Sequence, residues 1–494
     1  MNSSKTTGPR LARRIVALLT LTFCAVACAC LSTGLQAQEN AAAKPLTPGQ
    51  ISDGIQCAID PAESYALYLP SKYTPTKVWP ILYAFDPLAR GRVPVTLYKE
   101  TAEKYGYIIA ASNNSRNFHP EAAFAAAQAM WDDTHARLRL DQRRIYMMGF
   151  SGGARVATML AIRCETCAVA GVISSGAGYD FAPTHKTRFA YFGFVGDQDF
   201  NWAEVVQLRQ EQDECCASYH LKVFPGEHQW APPAIFDEAI QWLQLKAMQT
   251  GATPPDPSFI DQQFVRTQAE AAAAVQGKDA ISEFEAYRSL ASDFSPWRDV
   301  TEYQAKLATM KGSPGLKQAL KKEHEAIAQQ RALTQPISSK LSRAADADLD
   351  AQLDLRNAIV DEMKDLQSRA EPARNAETRL VLLRAFNDLS AQAIEAGQAE
   401  LENNKRFPLA EFYFQLMQSV SPNDPWPALL LAETDAARGD RKRSCKHLRE
   451  AIKRGLRNPD AIEKDVNLQI LRSDPEFKQI VAELKAQRES QPAR

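Results

Sequence analysis

Excess charge of either sign is the first thing this chain lacks: 58 Lys and Arg stand against 59 Asp and Glu over 494 residues, a formal net charge of −1. Without a long-range positive field, binding driven by phosphate neutralisation on nucleic acid or on an anionic membrane surface is not expected. Metal-ligand patterns are also scarce. Cys164-Glu165-Thr166-Cys167 has CxxC spacing, but no second CxxC and no His cluster accompanies it, which argues against a zinc site, and no metal or other cofactor is expected. That pair follows a helical pattern instead of opening one, so a structural disulfide or plain burial is a better reading than a redox motif. Long apolar runs are nearly missing as well. The exception, residues 15–31, is short for a bilayer span, follows Arg10, Arg13 and Arg14, and precedes small and polar residues.

That N-terminal order is that of a signal peptide, with cleavage expected after Ala37 in Leu35-Gln36-Ala37-Gln38. The mature chain is therefore expected to be exported, periplasmic or extracellular, with no membrane span. Ala25-Val26-Ala27-Cys28 is a poor lipobox, so a lipid-anchored form is the second choice. Export removes Cys24, Cys28 and Cys30 and leaves Cys57, Cys164, Cys167, Cys215, Cys216 and Cys445, whose pairing the sequence does not fix.

Apolar runs at 65–69, 80–85, 107–111, 144–150, 169–174, 189–195 and 219–224 alternate with helical patterns at 94–105, 119–138, 152–163, 203–213 and 233–248. Such alternation predicts a mainly parallel sheet with helices on both faces, filling residues 38–250. A Pro-rich linker is expected over 251–259. Beyond it the strand signals stop, and 260–392 reads as helical. Over 393–494, Ala410, Phe414 and Met417 recur 34 residues later as Ser444, Leu448 and Ala451. That period is the tetratricopeptide one, with Leu468–Phe477 as a closing segment and Ala280 and Phe284 as a degenerate further copy. A protein partner for these repeats is the corresponding expectation, with a generic helical bundle as the alternative.

Chemistry concentrates in Gly149-Phe150-Ser151-Gly152-Gly153, which joins an apolar strand to a helical pattern. A sharp strand-turn-helix elbow strains the serine backbone and leaves no room for neighbouring Cβ atoms, which is why glycines flank it. A serine hydroxyl needs a base oriented by a carboxylate, and this elbow predicts the order Ser, acid, His, each partner in a loop after a later strand. Gly196-Asp197-Gln198-Asp199 and Gly226-Glu227-His228 satisfy that order. Asp199 is the expected acid and Asp197 the alternative; of seven histidines, His228 meets both order and loop position.

On these motifs, with Tyr65-Ala-Leu-Tyr-Leu-Pro70 as an opening strand, Gly149-Phe-Ser-Gly-Gly-Ala-Arg155 and Gly226-Glu-His-Gln-Trp230, residues from about 60 to 248 resemble the α/β-hydrolase superfamily. The likeness is to secreted esterases grouped with polyhydroxyalkanoate depolymerases, feruloyl esterases and dienelactone-hydrolase-like proteins. It implies ester hydrolysis through an acyl-enzyme, on a small-molecule or polymer-borne ester. Where such esterases carry His-Gly after the strand at 80–85, this chain reads Asp86-Pro87-Leu88. The oxyanion hole is then expected from Gly152 N–H with an amide of Asp86 or Leu88, since Pro87 has none. Asp86 suits that place if its carboxylate points away or meets Arg90 or Arg92. The short connection from Ser175 to Arg188 leaves no room for a helical cap, so an open cleft is expected, with Tyr179, Phe181, Phe200, Trp202 and Trp230 as candidates for an aromatic wall. A peptidase of the same fold and a catalytically retired domain serving as a binding scaffold are the alternatives.

Overall fold

The computed structural model describes residues 46–164, 167–179, 187–463 and 465–489, without the side chains of 210–217 and 489. The expected signal peptide, its three cysteines, Phe181, and the side chains of Cys215 and Cys216 lie outside the described residues. The chain divides after Thr47, and the described strands and helices belong to the unit from Pro48 onward.

The first half of that unit is a single sheet with crossover helices. Strands β1 (Ile51–Gln56), β2 (Ser64–Tyr68) and β3 (Trp79–Phe85) come first, and helix α1 (Arg92–Tyr105) leads to β4 (Ile108–Ser112). Helix α2 (Pro120–Arg137) precedes β5 (Leu140–Phe150), and α3 (Gly152–Arg163) precedes β6 (Val169–Ser175). Then come β7 (Thr187–Gly196), α4 (Trp202–Cys215), β8 (Cys216–Phe224) and α5 (Pro233–Gln249). The eight strands lie in the order β1-β2-β4-β3-β5-β6-β7-β8. β2 is antiparallel to both neighbours and the rest are parallel. Strands β3 and β4 are buried almost throughout, as an uninterrupted apolar run requires when helices cover both faces. Register pairs Phe85 with Gly149, Phe150 with Ser175 and Gly196 with Phe224, so the carboxyl ends of β3, β5, β6, β7 and β8 share one edge. Strand β1 had no sequence signal: Ile51-Ser-Asp-Gly-Ile-Gln56 is a half-exposed edge strand with little apolar content. Cys164 and Cys167 form a disulfide, and among the described residues Cys57 and Cys445 are buried free thiols.

The second half is helical, and most helices start on a side-chain cap. Asp256 accepts the amides of Ser258 and Phe259, so α6 (Pro257–Gly277) begins inside the stretch expected as linker, with Pro257 in the first position that tolerates it. Asp279, Ser313 and Asn375 likewise cap α7 (Ala280–Asp293), α9 (Pro314–Arg343) and α11 (Ala376–Ala399); α8 (Thr301–Gly312) and α10 (Leu349–Ala370) lie between them. A short π-helical turn, Glu400–Asn404, leads to α12 (Phe407–Val420), α13 (Trp426–Ala437) and α14 (Arg441–Lys453), and the chain closes with α15 (Asp460–Glu463) and α16 (Pro475–Glu489). Ala410, Phe414 and Met417 on α12 and Ser444, Leu448 and Ala451 on α14 are all buried.

Helices α6 and α7 continue the core of α5, where Leu245 joins Ile260, Leu290 and Phe294. Asp293, fully enclosed at this seam, receives Lys246 Nζ at 2.5 Å, Ser289 Oγ at 2.7 Å, Trp242 Nε1 at 3.0 Å and His220 Nε2 at 3.1 Å. Burial alone would raise its pKa, but the Lys246 ammonium and His220 outweigh it and hold the carboxyl well below its ordinary value. Asp293→Ala strands three donors from the sheet side, and urea denaturation at pH 7 should show a loss of about 3 to 5 kcal/mol. Because the folded-state pKa is depressed, that contribution is present above the unfolded carboxyl pKa and vanishes as pH falls through the lower folded value. The deficit should stay constant from pH 8 down to about 4 and narrow only in stronger acid. A deficit under about 1 kcal/mol would mean the seam is held elsewhere.

Candidate active site

Ser151 sits between β5 and α3 at φ 52°, ψ −125°, a conformation L-residues avoid. Ser151 N–H donates to Ser175 O at 2.9 Å and Ser151 O accepts from Ala154 N–H at 2.9 Å, which fixes the turn from both sides. The backbone crossing is so close that a Cβ at Gly149 would lie 2.2 Å from Gly153 O, and one at Gly153 would lie 2.1 Å from Phe85 O. The elbow thus needs both glycines because main chain occupies the Cβ positions. Ser151 itself is largely buried, and α3 begins directly behind it, directing its amides toward the hydroxyl.

Asp199 and His228 meet from the loops after β7 and β8. His228 Nδ1 lies 2.9 Å from both Oδ1 and Oδ2 of Asp199, whose side chain has no solvent exposure. Asp199 Oδ1 also accepts Asn201 N–H at 2.8 Å. Asp197 faces the other way, accepting Gly226 N–H at 3.0 Å, and so ties the two loops together. Gly176, at φ +64°, lies against the pair: a Cβ there would come 3.0 Å from Asp199 Oδ2 and 3.2 Å from His228 Cε1. The imidazole packs between the ring of Phe150, at 4.6 Å, and that of Phe200, at 4.1 Å. Phe150 is the neighbour of Ser151, and Phe200 lines the same cavity as Ser151. Among the described residues Ser151 Oγ makes no hydrogen bond, so the serine-to-imidazole link is not formed in this resting state; catalytic hydrogen bonds of empty sites often tighten only on substrate.

Asp86 is fully buried and its carboxylate is spoken for. Arg90 donates to Oδ1 at 2.9 Å and to Oδ2 at 3.0 Å, Trp230 Nε1 donates to Oδ2 at 3.0 Å, and Leu88 N–H donates to Oδ1 at 2.9 Å. The negative charge is therefore neutralised in place. In the same geometry the Leu88 amide, one of the two candidates for the second oxyanion donor, already donates to Asp86. Of the two amides considered, that leaves Asp86 N–H, which stands 3.2 Å from a Cβ built on Gly153.

Other residues at this edge went unnoticed in the sequence. The Asn117 carboxamide rests on Gly152 so closely that a Cβ there would come 1.8 Å from Oδ1. The next residue, Phe118, has φ 66°, as Ala89 on the facing loop has φ 58°, so backbone strain gathers around the serine. Position at the carboxyl end of β4, where open α/β sheets gather ligands, was the signal available for Asn117.

Helix α11 lines the far side of the cleft. Ser151 opens into a cavity of about 320 Å³ whose floor includes Asn117, Gly152, Arg155 and Phe200, and whose opposite wall is Asp388, Ala391, Gln392 and Glu395 of α11. The cleft is half-open, and one of its walls comes from the helical half, some 200 residues beyond the segment where a cap was sought. Arg384 holds α11 in place by lying 3.7 Å over the Trp202 ring, and Asn387 Nδ2 donates to Gln198 O at 2.9 Å. Of the aromatic candidates, Phe200 lines the cavity. Trp202 lies under Arg384, Trp230 holds Asp86, and Tyr179 packs on Tyr191 at 5.3 Å.

Strand order, parallel register and a strained serine elbow between β5 and α3 define the α/β-hydrolase fold. No protein-family model matches the chain, and no curated protein does. Similar solved structures include the fluorophosphonate-binding serine hydrolase FphF of Staphylococcus aureus, 13% identical over 37% of this chain and 92% of that one, with a TM-score of 0.31. An S-formylglutathione hydrolase from Agrobacterium tumefaciens is 12% identical over 37% and 88%, with a TM-score of 0.31. A feruloyl esterase module from Clostridium thermocellum is 16% identical over 39% and 86%, with a TM-score of 0.29. The fold assignment rests on the chain's own topology.

The elbow makes a stability prediction. Gly153→Ala drives a methyl into Phe85 O and should cost about 3 kcal/mol or more in thermal or urea unfolding. Gly315→Ala, with open space around it, should be neutral or up to about 1 kcal/mol stabilising. Equal behaviour of the two would contradict the close approach of β3 to the serine turn.

Proposed function

We propose that the chain is an exported serine hydrolase that cleaves carboxylic esters through an acyl-enzyme. The observation that carries this reading is the buried Asp199–His228 pair set beside a serine in a strained strand-to-helix elbow. Ser151 Oγ attacks the ester carbonyl while His228 Nε2 takes its proton; Asp199 accepts the hydrogen bond from Nδ1–H and stabilises the imidazolium. Gly152 N–H, at the start of α3, and Asp86 N–H stabilise the oxyanion. The imidazolium returns its proton to the departing alcohol, and a water activated by the same imidazole releases the acid. The half-open cleft is compatible with a small-molecule or a polymer-borne ester.

The Arg-flanked apolar run at the N-terminus supports export, as does the Cys164–Cys167 disulfide, which persists in oxidising compartments. Residues 393–494 are read as tetratricopeptide-like repeats with closing helices, available to a protein partner. The unformed Ser151–His228 bond and the committed Leu88 amide favour a second reading, a retired hydrolase domain acting as a scaffold.

An alkyl fluorophosphonate should label Ser151 covalently, and Ser151→Ala should abolish the adduct; a chain that stays unlabelled supports the scaffold. On a short p-nitrophenyl ester, Asp199→Asn should lower kcat by about 10³- to 10⁴-fold. Asp197→Asn should change it by only a few-fold, and equal losses would reject Asp199 as the partner of the imidazole.

A further inference from the structure

The loop that carries His228 is tied on both sides of the imidazole. Before it, Gly226 N–H donates to Asp197 Oδ1 at 3.0 Å. After it, Trp230 Nε1 reaches across 144 residues of sequence to donate to Asp86 Oδ2 at 3.0 Å, and Ala231 O accepts the Tyr98 hydroxyl of α1 at 2.8 Å. The Trp230 ring also packs on Phe150, with centroids 5.7 Å apart, and Phe150 is one of the two rings that hold His228. Asp86 is therefore two packed rings away from the imidazole, and one hydrogen bond away from the loop that bears it.

The same carboxylate closes a second element. Oδ1 of Asp86 accepts Leu88 N–H at 2.9 Å, and its main-chain carbonyl accepts Ala89 N–H at 3.1 Å, so one residue folds the turn after β3 on itself. Arg90, the end of that turn, donates to both carboxylate oxygens. One oxygen thus faces the turn, the other faces the His228 loop, and the group between them is fully buried. Resting on the ester-hydrolase reading, we infer that Asp86 is a positioning residue for catalysis: through Trp230 it fixes the loop of the catalytic base relative to the turn whose first amide serves the oxyanion. A carboxamide has one acceptor oxygen, so an asparagine here keeps the turn or the indole, not both. The strands and the Tyr98 contact remain when this link is cut, and what is lost is the spacing between base and oxyanion donor, to which turnover is sensitive at the scale of 1 Å. Neither Asp86 nor Trp230 moves a proton.

The test follows p-nitrophenyl acetate hydrolysis by the full chain and counts competent sites from the end point of alkyl fluorophosphonate labelling. Acylation and deacylation both use the imidazole and the oxyanion donors, so kcat reports the positioning whichever step is slower. Trp230→Phe keeps a ring and removes the N–H; kcat per labelled site should fall about 10-fold with KM within about 2-fold. Asp86→Asn should lower it by about 10- to 100-fold, and the double variant should be no slower than Asp86→Asn, because both changes cut one link. A merely structural role would lower the number of labelled sites and leave the turnover of each unchanged. If Asp86→Asn does not fold, Trp230→Phe decides alone, and a variant that keeps its melting transition but takes up no label counts as a full loss. A kcat per labelled site in Trp230→Phe within about 2-fold of the unmodified chain, or losses that multiply in the double variant, would overturn the inference while leaving the hydrolase reading intact. Absence of labelling and of hydrolysis in the unmodified chain would overturn both.

Discussion

A carboxylate with no access to water, held against an imidazole by loops from two different strands, is the contact on which the rest of the site depends. Asp199 accepts hydrogen bonds in that setting from His228 and from the Asn201 amide. The cost of stripping water from an unpaired carboxylate is several kcal/mol, so the pair forms together or the loops do not close. Asp197 closes those loops by binding the Gly226 amide, and Gly176 leaves the space into which the pair fits. The imidazole then has one tautomer and one direction, toward the side of the sheet where β5 delivers Ser151.

The helical half is part of the same construction. Its contacts with the sheet domain are anchored by buried charge: Arg209 lies between Glu285 and Glu323, and Asp293 gathers Lys246, His220 and Trp242. Helix α11 is fixed at its approach to the loops after β7 by Arg384 on Trp202 and Asn387 on Gln198. Burial under that packing lowers the Arg384 pKa to about 10, the mark of a guanidinium used as a flat packing surface as much as a charge. The consequence is a half-open cleft lined partly by the sheet loops and partly by a helix from the other end of the chain.

Local periodicity carried much of this into the sequence. Runs such as Ile81–Phe85 and Ile108–Ala111, buried on both faces, read as parallel strands because no polar residue interrupts them, and the glycines about Ser151 mark the elbow because backbone contact demands them. Strand β1 was illegible because an edge strand that buries little needs little hydrophobic signal. The commitment of the Leu88 amide to Asp86 was invisible because it depends on where a carboxylate turns, which no spacing rule gives. Asn117, Asp388 and Glu395 were missed for a related reason. They reach the serine pocket by tertiary approach, and on its own α11 reads as an ordinary amphipathic helix with acids on its solvent side.

Acid-quench peptide mass spectrometry after brief mixing with p-nitrophenyl acetate tests the nucleophilic role of Ser151 without intermediaries. An acetyl group on the peptide containing Ser151, appearing with the first equivalent of nitrophenol and decaying at the steady-state rate, is the predicted result. Sustained nitrophenol release with no acetyl group at Ser151, or with one on another residue, would contradict it.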